Sequence, residues 1–275
     1  MAASAKTVIL EKPNLTEDWT VVLPRRGKRR RNFLRSKLPN QEQQWVPSDL
    51  EINPDRESKI MHKMQVCMRK LESSPFFCTF INQIQTQILG NIAMVLGTEP
   101  SMQMVIYGIG SIELYEPPRL QLSLAILMKK RFAWVGDIEL FDPILSGTET
   151  RVLEVLGCSV IPVNEQGRRK AMKPTLFFMP HCEAELYDNL LEENWRLDTF
   201  NQMILLGNSF ETYEQYMSII GNSTVANLRK HILAARRFTK EFHVNTVSDD
   251  YFCAFHDLSW HIFSLDNETA LESVK

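Results

Sequence analysis

A doubly wound α/β fold, with a mostly parallel sheet covered by helices on both faces, is what the sequence predicts. Three observations carry that expectation. Five short apolar runs recur at 102–110, 134–143, 158–163, 174–180 and 202–208. Segments of helical periodicity alternate with them. The runs are apolar almost throughout instead of alternating with polar residues, which is the mark of strands buried on both faces.

The elements follow in order. Residues 1–55 show no sustained period and hold Pro13, Pro24, Pro39, Pro47 and Pro54 together with RRGKRRRNFLRSK. They are expected to form a mostly disordered basic arm. From Glu57, the spacing of Ile60, Met61, Met64, Cys67, Met68 and Leu71 gives one helical stripe. Ser74-Pro75 then supplies an N-cap and a first-turn proline for a second helix that runs to Gly97. Residues 56–98 are thus a helical front piece. MQMVIYGIG, ending in glycines, predicts the first strand, and Pro117-Pro118 opens the helix RLQLSLAILMKK. WVGDIELFDP, CSVIPV, PTLFFMP and QMILLGN predict four more strands. TETRVLEVLG, EAELYDNLLEENW and TYEQYMSIIG are the intervening helices. Residues 221–275 form a C-terminal extension in which KEFHVNTV and YFCAFHDLSWHIFSL add one or two edge strands. The whole of 56–275 reads as a single Rossmann-like domain, with its main core at 100–220.

Composition sets further limits. Hydrophobic residues make up 44% and charged residues 23% of 275, an ordinary globular balance. No apolar stretch is long enough to span a bilayer, so no membrane partner is expected. Five irregularly spaced cysteines predict reduced thiols, not a disulfide framework. Residues 1–50 hold ten Lys and Arg against five Asp and Glu, and the remainder hold 21 against 28. The body is acidic, so any nucleic-acid contact would be weak and confined to the arm. Arg25, Arg26, Lys28, Arg29, Arg30 and Arg31 suit a nuclear import signal.

In a doubly wound sheet, ligands bind beyond the carboxyl ends of the strands. That rule gathers Gly108, Gly110, Ser111 and Glu113 after the first strand, Asp142 after the second, His181 after the fourth and Asn208 after the fifth. The glycines would let backbone approach a ligand, and Asp142 stands where ribose hydroxyls are held in nucleotide-binding relatives. On that reading, Gly110→Val damages function more than stability. GIGSIE lacks the third glycine of a dinucleotide loop and is closer to the looser loop of methyltransferase-like folds. A structural turn with a capping aspartate is the competing reading. His181 could act in acid/base work, or pair with Cys182 as base and nucleophile, although neighbours on an extended chain point apart. Cys253, His256 and His261, with His243 upstream, have poor spacing for zinc and are interleaved with aromatics, so no metal is expected.

YGIGSIE, DPILSGTE, TLFFMPHCEAELYDNLLEENW and ILLGNSFETY together resemble the SENSITIVITY TO RED LIGHT REDUCED family over 100–220. The resemblance implies a regulator of circadian clock input and phytochrome-dependent red-light signalling, present in nucleus and cytoplasm and working with protein partners. It carries over no catalytic residue and names no cofactor. Relatives in animals and fungi imply an older role tied to haem metabolism. An enzyme of methyltransferase-like or nucleotide-binding type using the crevice is the first alternative. A haem-linked regulatory binding protein is the second. A small-molecule ligand is compatible with all three.

Overall fold

Asn53 and Pro54 start the first helix. The Asn53 side chain accepts from the Asp55 and Arg56 N–H groups, and the proline sits where no donor is needed. In the computed structural model, residues 44–47, 49–220, 230–245 and 249–265 are described. The import segment 25–31 and the rest of the arm through residue 43 lie outside them. Helix α1 (Pro54–Glu72) buries Ile60, Met64, Cys67 and Leu71 along one stripe. Ser74 caps α2 (Pro75–Gln83) through the Phe77 N–H. A π-helical turn, Ile84–Ile88, then leads into α3 (Leu89–Leu96). The sequence predicts one continuous helix here. The wider turn absorbs one extra residue, so Ile84, Ile88 and Ile92 all remain on the buried side.

Among the described residues, seven strands form one sheet: β1 (Met102–Tyr107), β2 (Val135–Phe141), β3 (Cys158–Val160), β4 (Thr175–Met179), β5 (Met203–Asn208), β6 (Thr239–His243) and β7 (Leu258–Phe263). Their order is β3-β2-β1-β4-β5-β7-β6. The first five are parallel, and β7 runs antiparallel between β5 and β6. This is a Rossmann-like sheet of methyltransferase-like order, with the direction of winding reversing between β1 and β4. The expected strands at 102–110, 134–143, 158–163, 174–180 and 202–208 are all present, shorter at their ends. The C-terminal extension supplies two strands.

Strand alternation divides the core in two. Met104, Ile106, Leu140, Leu176, Phe178, Ile204, Leu206 and Trp260 face α1–α3, α4 (Glu116–Arg131) and α5 (Gly147–Val155). Val105, Tyr107, Phe177, Met179, Leu205 and Phe263 face the opposite layer. That layer holds α6 (Ala184–Glu193), α7 (Leu197–Phe200), α8 (Phe210–Ile220) and α9 (Lys230–Ala235). A last short helix, α10 (Phe252–Phe255), precedes β7.

The fold's contacts begin upstream of the expected boundary at residue 55. Trp45 packs edge-on against Phe141 at 5.5 Å, and its backbone N–H donates to the Pro162 carbonyl. The Gly147 N–H donates to the Asp49 carbonyl at 2.6 Å, and the Thr148 hydroxyl donates to the Glu51 carbonyl. A strap of this kind needs only isolated anchors, so it leaves no periodicity to read. Among the described residues, no helix is long and apolar enough to cross a membrane.

Candidate functional site

The chain leaves β1 through Gly108 and Gly110, both with positive φ (67° and 77°). The next turn is fixed by carboxylates. Asp142, at the end of β2, accepts from the Gly110 N–H at 2.8 Å and the Ile144 N–H at 3.0 Å. Glu149, buried on α5, accepts from the Ser111 hydroxyl at 2.6 Å and the Glu113 N–H at 3.1 Å. Its other oxygen completes a capping box with Ser146. Glu113 pairs bidentately with Arg56, which also holds Asp49. The hydrogen bonds from Arg56 hold the Glu113 carboxyl below the usual carboxylate range.

Five of the seven crevice candidates, Gly108, Gly110, Ser111, Glu113 and Asp142, are thus brought together, but into a closed set. Their polar groups are engaged by Glu149, by Arg56 and by neighbouring backbone. At the winding reversal, side chains of the chain itself also stand close to both glycines. A Cβ built on Gly108 would stand 2.6 Å from Cys182 Sγ, and one on Gly110 would stand 3.2 Å from Pro118 Cγ. Cys182 is buried and donates to the Tyr107 carbonyl at 3.2 Å. Burial pushes its thiol well above the usual range. The glycines therefore admit side chains of this chain. Gly110→Val meets both an unfavourable φ and Pro118, so it acts on stability first, contrary to the sequence expectation.

The other two candidates lie two strands along. His181 and Asn208, with Thr212, Phe252, His256 and Asp257, line an open pocket of about 580 Å³ beyond β4 and β5. The Asn208 side chain accepts from the His181 N–H at 2.7 Å, and the Asn208 backbone N–H donates to the Tyr187 hydroxyl at 2.9 Å. That hydroxyl in turn donates to the Met179 carbonyl. Gln121, buried on α4, donates to the Ala254 carbonyl at 3.0 Å, which fixes its amide orientation. The same nitrogen faces His181 Nδ1 at 3.4 Å. His181 Nε2–H is then the donor to the His256 carbonyl at 3.2 Å. Both ring nitrogens are engaged in the neutral form. Burial of the ring, followed by the neighbouring His256, pushes the His181 pKa below its ordinary value. A free acid/base role and a pair with Cys182 both lose their geometry, since the thiol points into the sheet end and the ring points to α10.

His256 is arranged differently. Its Nδ1 donates to the Phe252 carbonyl at 2.9 Å, and among the described residues nothing meets Nε2. Its ring lies 4.2 Å from that of His181 and stacks on Phe252 at 5.0 Å. Asp257 accepts from the Thr212 hydroxyl at 2.6 Å through one carboxylate oxygen. Sequence reasoning noted His256 only as a poor zinc ligand and did not single out Phe252, Asp257 or Thr212. The one available signal was a polar His-Asp pair just ahead of an apolar strand. His261 lies apart from this pocket, wholly buried on β7 beside Glu241 at 3.5 Å. Among the described residues, no group of three or more His, Cys, Asp or Glu is placed to hold a metal.

Comparison with known proteins adds the relationship. Among solved structures, the 23S rRNA methyltransferase ErmE is similar at 12% identity with a TM-score of 0.39, over 68% of this chain and 73% of that one. The Arabidopsis thaliana protein SENSITIVITY TO RED LIGHT REDUCED 1 is 53% identical over 261 residues, covering 92% of this chain and 94% of that protein. An SRR1-like protein of Mus musculus is 30% identical over 228 residues, 72% of this chain and 87% of that protein. The profile of the SRR1 domain matches residues 80–262, and the chain belongs to that family.

Proposed function

We propose that this chain is a regulator of red-light response and circadian clock input that works by binding at the His181–His256 pocket, and not by catalysis in the cleft between β1 and β4. The observation that carries the regulatory role is the 53% identity, across 92% of the chain, to a protein named for reduced sensitivity to red light. The closeness of Cys182 to Gly108, together with the internal hydrogen bonds of Gly110 and Ser111, supports binding elsewhere over catalysis there. The chain should restore the red-light response of Arabidopsis seedlings that lack this relative, read as seedling length under continuous red light. Failure of the well-expressed chain to restore it would overturn the regulatory reading. A melting-temperature rise with S-adenosylmethionine would instead favour the enzyme reading.

The protein works with protein partners in nucleus and cytoplasm on this reading, and residues 25–31 direct import. Replacing Arg29, Arg30 and Arg31 by Ala should lower the nuclear share of a bulky fluorescent fusion. The segment carries no apolar period that a core could bury, so the melting temperature should move by under about 2 °C. An unchanged nuclear share would defeat the import role.

A further inference from the structure

We infer that the His181–His256 pocket receives a planar organic cation, with the guanidinium of an arginine as the best match. The inference rests on reading this pocket as the regulatory binding site, and it concerns what fills it.

The hydrogen-bond inventory decides the ligand's chemistry. The side-chain donors that line the pocket are already used. The Asn208 amide donates to the Cys182 carbonyl and the Tyr213 hydroxyl, His181 Nε2–H to the His256 carbonyl, and the Thr212 hydroxyl to Asp257. Two side-chain groups retain unused capacity among the described residues, His256 Nε2 and the second Asp257 oxygen, and both are acceptors. A ligand must therefore bring donors. None of the lining residues is Lys or Arg, and the Asp257 carboxylate disfavours a phosphate or carboxylate ligand.

The shape of the site adds flatness to that requirement. Phe252 is 56% exposed and stacks on His256 with an interplanar angle of 21°, leaving an aromatic face open to solvent. A guanidinium can lie on such a face while its edge donates to a carboxylate, a combination that a compact ammonium matches less well. The backbone supports the same view. Three non-glycine residues among those described have positive φ, and two of them, His181 at 57° and Asp257 at 59°, line this pocket from separate segments. Such conformations cost free energy and collect where a side chain must be aimed.

The test is a titration of the isotope-labelled full chain, followed by nuclear magnetic resonance. The probes are N-acetylarginine amide, its uncharged citrulline counterpart, agmatine and adenosine. N-acetylarginine amide should give saturable shifts at the Phe252, His256 and Asp257 amides, and the citrulline compound should give none. Asp257→Asn keeps the acceptor for Thr212 and should weaken binding about tenfold, the effect of losing one charge-assisted hydrogen bond. Phe252→Ala should weaken it about threefold. Tighter binding of agmatine than of the amide would assign the site to a free small cation, and the reverse order to an arginine on a polypeptide. The cation assignment is overturned if no probe gives saturable shifts, if citrulline matches arginine, or if adenosine binds and Asp257→Asn leaves its affinity unchanged. Rescue of red-light response separates the two claims. Full rescue by Asp257→Asn and Phe252→Ala would remove the pocket from the regulatory role. Loss of rescue without cation binding would keep the pocket and discard the cation.

Discussion

Replacing Glu149 by alanine should lower the melting temperature by about 10 °C, corresponding to about 4 kcal/mol for a domain of this size. Glu149 is buried on the first turn of α5, and its two oxygens accept from the Ser111 hydroxyl, the Glu113 N–H, the Ser146 N–H and the Ser146 hydroxyl. The hydroxyls can turn toward other acceptors. The two backbone N–H groups cannot, and each orphaned buried donor costs about 1–3 kcal/mol. Loss of half the capping box adds about 1 kcal/mol. The carboxylate also ties the end of β1 to α5, so its removal loosens the loop that leads into α4. Glu154→Ala is the control on the same helix. Its carboxylate is half-exposed and meets only Arg151 at 3.3 Å, so the melting temperature should stay within about 2 °C. Circular dichroism melts of the two variants suffice. A loss below about 3 °C for Glu149→Ala would show that the loop finds other acceptors and that this carboxylate does not hold it.

Much of the fold was legible because it rests on local rules. The apolar runs that become β1, β2, β4 and β5 need no partner to be recognised, since only a strand covered on both faces is apolar at every position. Ser74-Pro75 announces its helix through a cap that lies within four residues. The features that escaped depend on residues far apart in sequence. The π turn at Ile84–Ile88 answers to the layer beneath it. The strap at 44–53 is held by Phe141, Gly147 and Thr148, about a hundred residues away. The site was legible by half for the same reason. The carboxyl-end rule located His181 and Asn208, but His256 and Asp257 reach the pocket from the connection between α10 and β7. Their placement follows from β7 pairing with β5, as Asn208↔Leu258 in the register, which no local pattern encodes. The rule also named Gly108, Gly110, Ser111, Glu113 and Asp142, and it is silent on whether a sheet end is open or already filled by the chain's own side chains.

Gly108→Ala tests that filling directly. Alone, it should destabilise the fold by about 3 kcal/mol and lower the melting temperature by about 8 °C. Two effects combine. At a φ of 67°, alanine pays about 1 kcal/mol that glycine does not. Its Cβ would also stand 2.6 Å from Cys182 Sγ, inside van der Waals contact. The sulfur cannot retreat freely, because it is buried and donates to the Tyr107 carbonyl, so the clash adds about 2 kcal/mol. Cys182→Ala removes the sulfur and opens the space. Introduced into that background, Gly108→Ala should cost only the backbone strain, so the pair couples by about 2 kcal/mol in the double-mutant cycle. A glycine kept bare for a ligand behaves otherwise. Its new methyl would project into solvent, the single variant would pay strain alone, and the two substitutions would add. Additive losses would reopen the cleft between β1 and β4 as a ligand site. Coupling of the expected size and sign would mean that Gly108 is there to seat Cys182.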